Sequence, residues 1–221
     1  MSEVIVTVRG EHERKVAPEE GTARITLRVE ASARGTAVEQ IAQLAAPVRE
    51  DLTARQADQG LAEWSSQRVS VWSERPWNSE GKRLPLVHHA SVEFRATFTD
   101  FAALSWWISD VAEREGVQVD GVEWALSRAT AQSVEAEVAA AAVQVAVDRA
   151  TAYAAALGLA SVAPLEVADV GLLTRDRPES MPAPQMMRAA FAADSGGGPA
   201  VELQPQDIVV TAAVEARFLA R

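Results

Sequence analysis

Apolar and polar positions along the chain fall into two periods. Apolar side chains alternate with polar ones wherever a strand is expected, and recur every three or four residues wherever a helix is expected. Residues 4–8 predict a short strand centred on Ile5 and Val6. A polar stretch at 10–21, with Pro18, predicts a turn, and residues 23–31 a second strand with Ile25, Leu27 and Val29 on one face. Together these predict an antiparallel hairpin. Residues 35–59 carry Val38, Ile41, Ala45, Val48 and Leu52 at helical spacing, with Pro47 expected to kink the helix because it lacks an N–H, and Gly60 to stop it.

Strands are predicted at 64–73 and 87–98, joined by a long polar connection at 76–85. The second shows the plainest alternation: Val92, Phe94, Ala96 and Phe98 against Ser91, Glu93, Arg95 and Thr97. Asp100 is placed to cap a helix whose stripe is Phe101, Leu104, Ile108 and Val111 and whose end is expected near Gly116. A strand at 117–126, an alanine-rich helix at 132–157 closed by Gly158, a strand at 162–170 and a last strand at 207–219 complete the order. The predicted class is α+β: antiparallel strands with two or three packed helices, in one domain over 1–221. Residues 171–206 hold five prolines, Met181, Met186, Met187 and Gly196-Gly197-Gly198, and predict a flexible loop.

Composition narrows the function classes. The chain has 221 residues, 48% hydrophobic and 24% charged, with a net charge of −10. Such a surface repels phosphate backbones and anionic lipids, so neither nucleic acid nor membrane is expected as a partner. There are no cysteines, which removes disulfides, thiolate metal sites and cysteine nucleophiles. Residues 1–20 lack the basic and apolar regions of a signal peptide, and no apolar run approaches the length of a spanning helix, so a cytoplasmic location is expected.

Several residues in order carry a family resemblance. They are the first strand ending near Gly10, Val16-Ala17-Pro18-Glu19 before the second strand, and Val87-His88-His89-Ala90-Ser91 entering the fourth, ahead of Thr99-Asp100-Phe101. The alanine-rich run from Glu135 to Ala156-Leu157-Gly158 and the Pro/Met/Gly loop before the valine-rich last strand follow. In this order they resemble the SIMPL-domain family, which includes bacterial periplasmic immunogenic proteins. The resemblance covers nearly the whole chain. It implies an α+β fold, frequent self-assembly and a loose link to stress tolerance or envelope biology, and it implies no catalytic residue set.

Candidate chemistry is sparse. His88 and His89 are sequence neighbours on a strand, so their rings point to opposite faces and do not share one ion. His12 is expected in a turn, and no H-E-x-x-H or G-x-S-x-G pattern is present. Glu11 with Glu13, and Asp110 with Glu113, read as solvated surface charge. No cofactor, metal or catalytic residue is expected. The tryptophans say more: helical phase points Trp106 away from the buried stripe and sets Trp107 at its edge. Trp72 and Trp77 flank the start of the 76–85 connection. The expected function is a non-catalytic, homo-oligomeric binding or scaffold protein with a possible protein partner. Its candidate interface is Trp106, Trp72, Trp77, Met186 and Met187. The rival is a monomeric small-molecule binder using the Trp72/Trp77 region and the Met-rich loop.

Overall fold

The computed structural model describes residues 3–57, 60–173 and 202–221. The loop expected at 171–206 lies mostly outside these residues, and Met186 and Met187 wholly so. In chain order the elements are β1 (Val4–Val16), β2 (Glu20–Ala31), α1 (Arg34–Ala57), β3 (Glu63–Glu74), β4 (Val87–Phe98), α2 (Phe101–Ala112), β5 (Val117–Ala125), α3 (Arg128–Ala156), β6 (Val162–Asp169) and β7 (Ile208–Ala220). The order is the predicted one, and the fold is α+β with two antiparallel sheets.

The described residues gather into two compact units. One contains 3–17, 126–173 and 207–221; the other contains 18–57, 60–125 and 202–206. In the first unit the sheet order is β1-β7-β6, with α3 packed on one face. Val6 and Val8 of β1, and Val214, Ala216, Phe218 and Ala220 of β7, meet Ala142, Ala146, Ala150 and Ala154 of α3. Alanine at every fourth position leaves a flat helical stripe that can lie close to a strand. Gly10 is the point of nearest approach: a side-chain carbon there would sit 2.7 Å from the Ala146 amide nitrogen.

In the second unit the sheet order is β3-β4-β2-β5. Its helix-facing side carries Ala23, Ile25 and Leu27 from β2 and Ala90, Val92, Phe94, Ala96 and Phe98 from β4. Against them pack Ile41, Ala45, Val48 and Leu52 of α1, and Leu104, Trp107, Ile108 and Val111 of α2. Trp107 is the largest fully buried side chain, central and not at the edge of the stripe. Its indole N–H donates to Asp51 Oδ2 at 2.9 Å, and Asp51 also accepts from Arg55 Nε at 3.0 Å, one turn along α1. Asp100 caps α2 as expected, accepting from the Ala102 and Ala103 amides at 2.9 and 3.2 Å.

Several expectations need correction. β1 continues through the polar residues to Val16, and it pairs with β7 instead of β2. No β1–β2 hairpin forms: β1 is paired with β7 along its whole length, and β2 has β4 on one side and β5 on the other. His12 therefore lies in a strand, opposite Ala212. In α1 the buried stripe runs through Ala37, while Val38 is exposed. The helix runs on past Pro47. Its ring and the Gln43 carbonyl it deprives of a partner both belong to exposed residues, where water can satisfy the oxygen. α2 ends at Ala112, four residues before Gly116, and α3 starts at Arg128, capped by Ser127. The 76–85 connection is a built turn: Asn78 Oδ1 accepts from the Glu80 and Lys82 amides at 3.1 and 2.8 Å, and Gly81 supplies a φ of 74°.

Candidate functional site

The sheet of the second unit has one face under α1 and α2 and one face carrying polar side chains. Strand alternation puts Glu30 of β2, His89 of β4, and Trp72 and Glu74 of β3 together on the polar face. Register aligns them: His89 lies opposite Glu30 on one side and opposite Trp72 on the other. Trp72 stacks on His89, with ring centroids 5.1 Å apart and planes 13° from parallel. That cover leaves His89 only 8% exposed.

Two carboxylates bracket the imidazole. Glu30 Oε1 is 3.4 Å from Nδ1, and Glu74 Oε1 is 3.3 Å from Nε2. The second approach lies within ion-pair range but lacks hydrogen-bond geometry, so Nε2 is without a directed partner among the described residues. A neutral imidazole has one N–H and can donate to one carboxylate at a time. Glu30 and Glu74 are largely exposed, so the cluster presents negative charge around a buried aromatic pair.

His88 takes the other face, as strand alternation requires. Its Nδ1 lies 2.7 Å from Ser73 Oγ, directly across the β3–β4 register. A hydroxyl beside an imidazole becomes a nucleophile when a third group orients the base. Among the described residues no carboxylate pairs with His88, and the contact is a cross-strand hydrogen bond. Nor, among those residues, do three or more His, Asp or Glu side chains converge to hold a metal ion.

The named tryptophans go to different places. Trp72 stacks on His89. Trp77, 61% exposed, bridges Arg83 across the turn and takes its guanidinium carbon 4.9 Å above the ring. Trp106 is 52% exposed on the outer face of α2, beside Ala102 and Asp110. Of the remaining acidic pairs, Glu11 is bound to Arg9 and Asp110 to Arg114.

The described surface also carries open hollows. One of about 410 Å³ is lined by Glu30, Pro76, Leu84, Pro85 and Leu86, with neither Trp72 nor Trp77 in its wall. Another of about 290 Å³, in the first unit, lies at Thr7, Arg9, Leu173 and Arg217, whose guanidinium is held by Glu166 at 2.9 Å. Sequence reasoning missed Glu30 and Glu74 as neighbours of His89. The three come from three strands whose order in the sheet is not their order in the chain, and no local spacing encodes that.

Two sheets with an alanine-striped helix closing the first fit the expected family. The SIMPL family model, described as a protein of unknown function (DUF541), matches residues 6–218. The chain belongs to the SIMPL family. The match takes in both sheets and all three helices. A search of curated proteins finds no match. Among the described residues of this SIMPL chain, no helix is long and apolar enough to cross a membrane.

Proposed function

We propose that this SIMPL protein is a non-catalytic binding or scaffold protein that works as a homo-oligomer, in the stress-related setting that the family resemblance implies. The observation that carries the reading is the contrast between two adjacent tryptophans. Trp107 fills the core, whereas Trp106 is 52% exposed on the outer face of the same helix. A tryptophan in water leaves a large apolar area uncovered, and at the centre of an interface such a side chain contributes about 2 kcal/mol or more. A second copy of the chain is the partner this reading names. Light scattering on the wild type and on Trp106→Ala tests it.

The second reading is a monomeric binder of a small molecule. The 410 Å³ hollow beside Glu30 supports it, with a mostly apolar lining and one carboxylate. The hollow is open, and the tryptophans first associated with it lie outside its wall, so assembly is the stronger proposal.

A further inference from the structure

Among the described residues the two sheets leave four edges: β1 and β6 in one, β3 and β5 in the other. An edge strand offers unpaired N–H and C=O groups to another chain, and proteins blunt such edges with proline, bulges and charge. Two of the four are blunted and a third is blunted in part. β6 carries Pro164 with a register break after it. β5 is broken beside Gly121, whose φ is 144°. β1 bears Arg9, Glu11, Glu13, Arg14 and Lys15 in its second half, while Val4 to Val8 carry no charge that could set a register.

β3 is different. After a break between Ser66 and Arg68 it runs in regular register from Arg68 to Glu74. Within that run Val69 is 69% exposed and Trp72 is exposed as well. Charge appears only at the two ends, Arg68 and Glu74, with opposite signs. Arg68 has no ion-pair partner among the described residues.

We infer that β3 is the edge by which two copies of this chain pair, antiparallel, about a twofold axis at Val71. This rests on the proposal that the chain assembles and adds a second contact, separate from Trp106, together with its register. α2 packs over β5, β2 and β4, whereas β3 is the far edge of the same sheet. Val71 is the midpoint of the regular run. With Val71 opposite Val71 of the second copy, Arg68 falls opposite Glu74 at both ends of the ladder. Ser70 falls opposite Trp72, and Val69 opposite Ser73. Opposed residues share a face and interact across the strands. The pattern is self-complementary, as a twofold interface requires: what one copy offers, the other receives.

Other registers lose the match. With Ser70 on the axis, Arg68 meets Trp72 and Glu74 meets Ser66. With Trp72 on the axis, Arg68 faces Pro76, beyond the end of β3. Only the Val71 register opposes both charge pairs directly and keeps the whole regular run in the ladder. In the single subunit the Val71 carbonyl accepts one bond from Arg34 Nη2 at 3.2 Å, a side-chain contact that a paired strand would replace.

Sedimentation velocity on the full chain, over a range of concentrations, tests this with Arg68→Glu, Glu74→Arg and the double variant. Each single substitution sets like charges opposite each other twice, so each is expected to halve the assembled mass. The double variant restores opposite charges and is expected to recover the wild-type mass. Arg68 is exposed, so Arg68→Glu should melt as the wild type does. Glu74→Arg also removes the carboxylate 3.3 Å from His89 Nε2. Glu74→Gln, which loses that carboxylate without adding a cation, is its control and is expected to keep the wild-type mass. If either single variant fails to fold, Val69→Lys replaces it and is expected to halve the mass by putting an ammonium into the edge. Wild-type mass in every variant, or halving without recovery in the double, overturns the β3 pairing while leaving assembly standing. A wild type that stays monomeric throughout overturns both, and would mean that the edge is left for a strand of another protein.

Discussion

Gly10 of β1 lies directly beneath Ala146 of α3. A carbon added to Gly10 would stand 2.7 Å from the Ala146 amide nitrogen and 3.0 Å from its methyl carbon, and closer still to the Ala142 carbonyl oxygen. These neighbours are mostly helix backbone, which cannot swing aside as a side-chain end can. The alanine stripe and the glycine are two halves of one close packing between α3 and the sheet.

Gly10→Ala should therefore cost about 1–3 kcal/mol, because α3 must lift from the strand. Gly35→Ala is the control. It lies in the first turn of α1 with nothing within 4 Å of the added carbon, and alanine is the better helix former by about 1 kcal/mol. Urea unfolding should show the midpoint falling for Gly10→Ala and rising for Gly35→Ala, with unchanged slopes. Equal small effects at the two positions would contradict the close packing.

The buried tryptophan gives a graded test. Trp107→Phe removes the N–H donated to Asp51 and should cost about 1–3 kcal/mol. Trp107→Ala also empties the space between α1, α2 and the sheet, and should cost about 3–5 kcal/mol. Thermal or urea denaturation of both variants checks the order. Equal losses in the two variants would mean that the hydrogen bond, and not the volume, dominates at this position.

Pro47 is the residue whose removal should help. Alanine there restores an N–H for the Gln43 carbonyl and relieves the ring's crowding of the preceding turn. Proline's restriction of the unfolded chain offsets about 0.4–1 kcal/mol of that gain. Pro47→Ala should still stabilise the protein by about 2 kcal/mol, since the intrinsic difference in a helix interior is about 3 kcal/mol. Calorimetry showing a lowered melting temperature would contradict an ordinary helical backbone through residue 47.

Local pattern made most of the elements legible, and pairing made the rest illegible. The alternation of β4 and the capping role of Asp100 stand in the sequence as they stand in the fold, because neighbours in the chain decide them. Residues 11–15 are polar on both faces, so no alternation marks the second half of β1. Its ladder partners, Ala213 back to Val209, lie some 200 residues further along, beyond any local signal. Val38 is the more apolar residue and fits helical spacing, although burial in α1 falls on its neighbour Ala37. The exposure of Trp106 was legible from helical phase alone. The bracketing of His89 by Glu30 and Glu74 was not, since strand order in a sheet is a property of the whole fold.

The central claim is assembly through exposed aromatic surface, and the most direct test is the mass in solution of the wild type and of Trp106→Ala by light scattering, with melting temperatures measured alongside. The account predicts a wild-type mass of two or more subunits. It predicts a smaller species for Trp106→Ala, melting at the wild-type temperature, because the side chain removed is half exposed in the subunit. A wild type of single-subunit mass at high concentration would contradict assembly outright. A variant that keeps its mass but melts early would make Trp106 a core residue and leave the proposed interface without its anchor.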